Sequence, residues 1–304
     1  MSKKAILSKI LDMTRLKLIF VFFLLSAVPL YPFETEIYPE KPKAGTGFLL
    51  LIRGSNLFSY EITCGRKKYA PYRRDRILEI FLPIPIGAQD TLSILVKKQL
   101  AGITLSRKLI DLPVEKREIK TVYLRQKDEA MRQKEPAVEE QQSLFLSAVA
   151  TQTLERRWEA PFIQPLDSPV TTPFALYRKG KLYSYYHKGI DIAAPRGTPV
   201  KSANSGSVVL SETGFNIYGS LIVIDHGQGI LSSYLHLEKI FKKNGDTVEK
   251  GEIIGEVGSS GWATGPHLHM GLHIQGTSVD PIAWTEFTET LPASKSPEKS
   301  EPAH

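Results

Sequence analysis

The sequence predicts a mainly β protein, and three observations carry that expectation. Short segments rich in β-branched, aromatic and leucine residues recur along most of the chain, each closed by a turn signal. Glycine becomes frequent after residue 161, where valine and isoleucine runs alternate with tight turns. Only one stretch, 115–158, has the composition of a helix. The 304 residues suffice for about two domains with linkers and tails. With 42% apolar and 23% charged residues the chain can bury a core, which excludes a disordered polymer.

Residues 1–33 read as a targeting segment. Lys3, Lys4, Lys9, Arg15 and Lys17 stand against Asp12, a net +4, and residues 18–30 are then uncharged. A basic start followed by an apolar run of about a dozen residues is the pattern of a secretory signal peptide, the run being shorter than the roughly 20 residues of a membrane span. No Ala-x-Ala follows Ser26-Ala27-Val28, so an uncleaved N-terminal membrane anchor extending through Tyr31 and Phe33 is the alternative. Either way the remainder is expected outside the cytoplasm, in the periplasm or cell envelope, tethered to the inner membrane under the second reading. These residues supply most of the chain's +7, so its basic character is local and does not predict nucleic-acid binding. Cys64 is the single cysteine, which excludes an intramolecular disulfide and a thiolate zinc finger. It reads as a small apolar side chain rather than a nucleophile.

Residues 34–114 are expected to form a small β-sandwich-like domain. Its strand segments are 47–52, 58–63, 77–82, 91–96 and 103–110, divided by Gly54-Ser55-Asn56, Gly65 and Pro85-Ile86-Gly87. Arg73, Arg74 and Arg76 read as a solvated loop. Residues 115–160, rich in Glu, Lys, Arg and Gln, are expected to be a helical connector interrupted at Pro136. Its second piece starts with Glu139 and Glu140 and ends near Arg156 and Arg157, charges that suit the helix dipole. Residues 161–285 form a second β domain, with strands at 199–201, 207–210, 221–225, 230–235, 253–257 and 267–274. Residues 286–304, dominated by Ser, Pro, Lys and Glu, read as a disordered tail.

Six of the seven histidines fall between His187 and His273. His187 and Asp191 are four apart, an even spacing that puts both side chains on one face of an extended segment. His267 and His269 share a face in the same way, with Leu268 turned to the other. Imidazole and carboxylate are both good zinc ligands, and three of them leave a fourth position open. Either pair alone is common by chance; both in one glycine-rich β domain, with Tyr234-Leu235-His236 between them, point to a metal site.

The stretches His187-Lys188-Gly189-Ile190-Asp191, Gly206-Ser207-Val208-Val209, Ile224-Asp225-His226-Gly227, Tyr234-Leu235-His236-Leu237, Gly245-Asp246-Thr247-Val248 and Gly265-Pro266-His267-Leu268-His269 occur in an order and spacing that resemble the lysostaphin/LytM family of zinc metallopeptidases. The resemblance implies a compact antiparallel β-sheet metallopeptidase domain of the duplicated hybrid motif type over 161–285. It implies one Zn²⁺ per chain held by His187, Asp191 and His269, with His236 and His267 as an unligated catalytic pair. It further implies a peptidoglycan endopeptidase that cuts the peptides of bacterial cell walls through a zinc-activated water, one histidine taking a proton and the other stabilising the oxyanion or protonating the leaving amine. Members of the family cut glycine bridges or D-alanyl cross-links to a diamino acid; the signal region and modular layout favour the second, D,D-endopeptidase action, with carboxypeptidase trimming as a further reading. Some relatives of this family lack ligands and activate other wall hydrolases, so a non-catalytic wall-binding regulator is the alternative; here the ligand set is intact.

The chain departs from the family pattern at Ala175 and Ser220, where Gly and Asn are usual, and at Met270, where an aromatic residue is common. His226 reads as a structural hydrogen-bonding residue and His273 as groove lining or surface. Tyr185, Tyr186, Tyr218 and Trp262 could line the groove or simply pack.

Overall fold

The computed structural model describes residues 33–74, 77–124, 136–181 and 183–291, almost all within one compact unit, Thr35–His304. The candidate signal or anchor lies outside the described residues, apart from Phe33. Among the described residues no helix is long and apolar enough to cross a membrane.

The chain opens with eight strands: β1 (Glu34–Tyr38), β2 (Gly47–Arg53), β3 (Ser59–Cys64), β4 (Lys67–Tyr69), β5 (Tyr72–Arg74), β6 (Ile77–Pro83), β7 (Thr91–Leu100) and β8 (Ile103–Pro113). They form two four-stranded sheets, ordered β1-β2-β6-β5 and β4-β3-β7-β8. Period-2 alternation explains their burial. In the first sheet, Phe48 pairs Leu82 and Leu50 pairs Ile80 on one face, all fully buried. The other face carries Leu49 opposite Phe81 and Leu51 opposite Glu79, and of these four only Leu51 is partly exposed. In the second sheet Ile62, Ile94 and Val96 are buried, whereas Glu61 meets Lys68 at 3.0 Å and Lys97 at 2.9 Å. Cys64 is half-buried, and burial pushes its thiol up, which fits an inert side chain.

The connector differs from the helical expectation. Residues 115–124 are extended and include β9 (Thr121–Tyr123); 125–135 lie outside the described residues. A helix, α1 (Pro136–Val149), follows. Pro136 therefore begins the helix rather than breaking one, because proline has no N–H to lose in a first turn. α1 also stops short of Arg157.

The second β region contains β10 (Val170–Thr172), β11 (Tyr177–Lys179), β12 (Ser184–Tyr186), β13 (Ile190–Ala193), β14 (Pro199–Lys201), β15 (Gly206–Phe215), β16 (Gly219–Gly227), β17 (Ile230–Ile240), β18 (Thr247–Val248), β19 (Ile253–Val257), β20 (His267–Ile274) and β21 (Thr277–Val279). Ten of these make one antiparallel sheet whose main path runs β10-β13-β20-β17-β16-β15-β18. The hairpin β11-β12 stands apart and takes β9 as a third strand, parallel to β11. A second helix, α2 (Pro281–Thr290), ends the described chain. It overturns the disordered-tail expectation over residues 286–290. Its signal was present in the sequence: Asp280 caps the N-terminus, accepting from Ile282 N at 3.1 Å, and proline occupies the first turn. Buried Trp284 then anchors it.

The two parts share a core. Leu49 and Phe81 join Trp158, Phe162, Ile190, Ile192, Leu268, Met270, Ile274 and Trp284 in one apolar cluster. The Phe81 ring lies 5.5 Å from both Trp158 and Trp284, edge-on. Around it, Gln228 Nε2 donates to the buried Glu79 carboxylate at 2.6 Å, and Arg117 pairs with Asp280 at 2.8 Å. Phe81→Ala should therefore cost about 3–5 kcal/mol. Calorimetry should also show both parts melting together in the parent protein; two well-separated transitions would contradict a shared core.

Candidate functional site

Strand β20 sorts its residues by parity. Leu268, Met270, Leu272 and Ile274 face the shared core, leaving His267, His269 and His273 on the opposite face. Asp191 lies directly across from His269 on β13, and Leu235 lies across from it on β17. His187 precedes β13 in the loop from β12. Its N–H donates to Leu176 O, and its carbonyl accepts from Ala175 N, both at 2.9 Å. Gly189, between the two members of the first pair, sits so close to β20 that a Cβ there would lie 2.4 Å from Met270 O and 2.6 Å from His269 Nε2. Glycine is required for that approach.

Three donor atoms consequently converge. His187 Nε2 lies 3.0 Å from Asp191 Oδ1 and 3.0 Å from His269 Nδ1, and His269 Nδ1 lies 2.8 Å from Asp191 Oδ1. His187 Nδ1 is 3.0 Å from Pro173 O; a carbonyl can only accept, so Nδ1 carries the proton and Nε2 presents a lone pair. A carboxylate and neutral imidazoles aiming electron pairs at one point repel unless a cation joins them. Zinc ligands at roughly 2.0–2.2 Å from a tetrahedral ion stand about 3.4 Å apart, close to the separations here. His187, Asp191 and His269 thus fit a divalent metal, and they form a cluster of metal-binding type among the described residues.

The other two predicted residues border this cluster. The rings of His236 and His267 are 4.9 Å apart, and His236 is 6.2 Å from His269. His267 Nδ1 donates to Gly265 O at 2.9 Å, and its Nε2 lies 3.9 Å from Asp191 Oδ1. His236 Nδ1 donates to Ser260 O at 2.9 Å, which leaves its Nε2 as a lone pair. Burial, reinforced by His269 and His267, pushes His236 down to about 3, so it is neutral at ordinary pH. Its position breaks the parity of β17. Ile230 and Tyr234 face the core, so by alternation His236 should too. Instead His236 adopts φ +65°, at the bulge where β17 leaves β20 and continues beside β19. The left-handed residue re-aims the ring at the site, a device common beside functional centres.

His226 is fully buried, bonded to Ser205 O and Ser232 Oγ, each at 2.8 Å, in keeping with its structural reading. His273 corrects the expectation of groove lining or surface. α1 covers this face of β15–β17, burying Phe145, Ala148 and Val149 against Leu210, Leu221, Val223, Leu231 and Leu235. His273 lies beneath it, edge-on to Phe145 at 5.9 Å and 3.2 Å from Ser233 Oγ. Tyr218 packs on Phe145 at 4.5 Å, and Tyr186 pairs with Tyr177. Tyr185 and Trp262, 6.3 Å apart, border the site.

Sequence reasoning missed Arg178. Its Nη2 lies 3.4 Å from Asp191 Oδ2 and its Nη1 lies 3.3 Å from Tyr185 Oη. No motif spacing marks it; only the β11-β12 pairing brings it in.

Comparison with known proteins agrees with this geometry. Residues 185–281 match peptidase family M23. The chain carries a peptidase family M23 domain. Over 123 residues it is 38% identical to the DD-carboxypeptidase/endopeptidase Mpg of Neisseria meningitidis, covering 40% of this chain and 28% of that protein. Over 94 residues it is 43% identical to the peptidoglycan DD-endopeptidase ShyA of Vibrio cholerae, covering 31% and 22%. The match thus spans less than a third of either relative's length. A crystal structure of a peptidase M23 from Pseudomonas aeruginosa shares the fold more widely: TM-score 0.61 at 23% identity, over 81% of this chain and 95% of that one. The mainly β, antiparallel fold read from the sequence is therefore the one found.

Two predictions follow from the site's surroundings. Ala175, where the resembled family has glycine, holds φ +66°; Ala175→Gly should stabilise the protein by up to about 1 kcal/mol in urea unfolding. His226 and His273 are pushed down by burial from 6.5 to about 4 and about 3, His269 and Lys188 adding to the effect on His273. The unfolded chain therefore binds protons that the folded one refuses. The stabilisation is complete above pH 6.5 and is lost as pH falls toward 4, at about 1.4 kcal/mol per pH unit for each histidine. Thermal melts of metal-free protein should show Tm falling over that range; a flat profile would count against buried neutral rings.

Proposed function

We propose that this protein is a zinc-dependent peptidoglycan endopeptidase of the cell envelope, cutting D,D cross-links between wall peptides. The observation that carries the proposal is the convergence of His187 Nε2, Asp191 Oδ1 and His269 Nδ1 within 2.8–3.0 Å of one another, in a domain whose relatives are named for DD-endopeptidase activity. His187, Asp191 and His269 would hold one Zn²⁺. When bound, zinc would supply Lewis acidity, making a water nucleophilic near neutral pH and polarising the scissile carbonyl.

The chain's own residues do the rest. His236, neutral and with Nε2 free of the Ser260 bond, accepts the proton of the attacking water. His267, pinned through Nδ1 by Gly265, presents Nε2 to the developing oxyanion or to the leaving amine. Backbone contacts fix both rings, so no reorientation is needed during the reaction. Export by the N-terminal segment would bring the enzyme to its substrate. The regulator alternative is motivated by relatives that lack ligands, whereas His187, Asp191 and His269 are all present here.

Mass spectrometry of muropeptides tests the reading. Zinc-loaded protein should release cut cross-links from diamino-acid walls, and chelation followed by zinc should remove and restore that activity. His269→Ala should lose both the bound zinc and turnover. His236→Ala should keep about one zinc while turnover falls roughly 10²–10⁴-fold. Cleavage confined to glycine-bridged walls would overturn the D,D assignment, and full turnover by either variant would overturn the mechanism.

A further inference from the structure

The two carboxylate oxygens of Asp191 have different partners. Oδ1 faces His187, His269 and, at 3.9 Å, His267. Oδ2 faces the guanidinium of Arg178, at 3.4 Å. The same guanidinium reaches the Tyr185 hydroxyl through its other terminal nitrogen, 3.3 Å away, and lies 5.8 Å from the Tyr185 ring. A planar guanidinium makes the two contacts through separate nitrogens held in a fixed fork, whereas an ammonium has one nitrogen on a flexible stem.

Arg178 is aimed there by a small sheet of its own. It pairs with Tyr185 on β12 and with Val122 on β9. Alternation turns Tyr177, Lys179 and Tyr186 to the opposite face, so Arg178 and Tyr185 together face the site. The parallel strand β9 is fastened at both ends of β11: Tyr177 N donates to Lys120 O at 2.9 Å, and Leu124 N donates to Lys179 O at 2.8 Å. Arg178 and β9 both lie upstream of the stretch, 185–281, that matches the peptidase family.

Resting on the reading of the site as a zinc centre, we propose that Arg178, braced by the connector strand β9, is a positioning residue for Asp191. It occupies Oδ2, so that Oδ1 alone is presented to the metal. A carboxylate left free to rotate could offer either oxygen or both. Holding one in an ion pair fixes a single-oxygen mode and spares the ordering of the side chain when the ion arrives, the usual work of groups behind a metal ligand. The connector is then part of the metal centre, not only a spacer between two β regions.

Metal binding to the full chain tests this without any turnover assay. Zinc affinity is read by competition with a chromophoric chelator, and ligand geometry by the absorption bands of the Co²⁺-substituted protein. Arg178→Gln should weaken zinc binding about 10–100-fold and alter the Co²⁺ bands. Arg178→Lys, which keeps the charge but not the fork, should fall between. Val122→Pro, which removes an N–H from β9 and leaves the site's residues untouched, should shift both readouts in the direction of Arg178→Gln. Melting of the metal-free variants checks that each is folded. Arg178→Gln with parental affinity and unchanged Co²⁺ bands overturns the proposal alone. Failure of the parent protein to bind zinc overturns the metal centre and the proposal with it.

Discussion

Three side-chain donor atoms held within about 3 Å of one another make an arrangement that fits a divalent cation. Everything near the site serves that convergence. Pro173 O fixes the His187 proton on Nδ1, Gly189 admits the close approach to β20, and the register of β13 against β20 sets Asp191 opposite His269. The electrostatic cost of pointing two rings and a carboxylate at one spot is borne by a rigid frame. Leu268 and Met270, on the reverse face of the same strand, are locked into the largest apolar cluster in the described chain.

One sheet therefore has two unlike faces. Its inner face is continuous with the core that the N-terminal sheets share through Leu49 and Phe81. Its outer face is divided: His187, Asp191 and His269 occupy the β13–β20 end, and α1 seals the β15–β17 end through Phe145, Ala148 and Val149. His273 belongs to the sealed part although it has the same parity as His269. Parity along a strand reports which face a residue occupies, not whether that face is open, and here the cover comes from a helix more than a hundred residues earlier in the sequence.

That distinction marks how far the sequence could be read. The strands at 199–201, 253–257 and 267–274 were legible to the residue, because β-branched runs bounded by glycine and proline leave little choice of period. The five candidate residues were picked out by spacing and by the family resemblance, and the structure brings them together. His236 was found by motif but not by pattern, since its left-handed backbone inverts the alternation of β17. The connector was misread because the Glu, Lys and Arg around it masked β9, whose residues Thr121, Val122 and Tyr123 are all strand formers. α2 was missed although its Asp280-Pro281 start is a good helix signal; the polar composition beyond it masked Trp284.

Arg178 shows why the matched stretch, residues 185–281, is not the whole of the site. The tautomer of His187 depends on a carbonyl at Pro173, the loop holding its backbone depends on a strained Ala175, and the free oxygen of Asp191 depends on Arg178. All three precede the stretch, and the last is steadied by a strand from the connector. The N-terminal sheets meet the domain at Ile274 and Trp284, the far end of β20 from His267 and His269. Five residues of strand at about 3.3 Å each separate His269 from Ile274, about 16 Å. The sandwich is therefore attached by a buried core at a distance from the site, while β9 pairs with β11 beside Arg178. The N-terminal part thus reaches the centre through that short parallel pairing, through the shared core, and through Phe174, which Gly45 approaches closely and whose ring lies 5.4 Å from the Arg117 guanidinium.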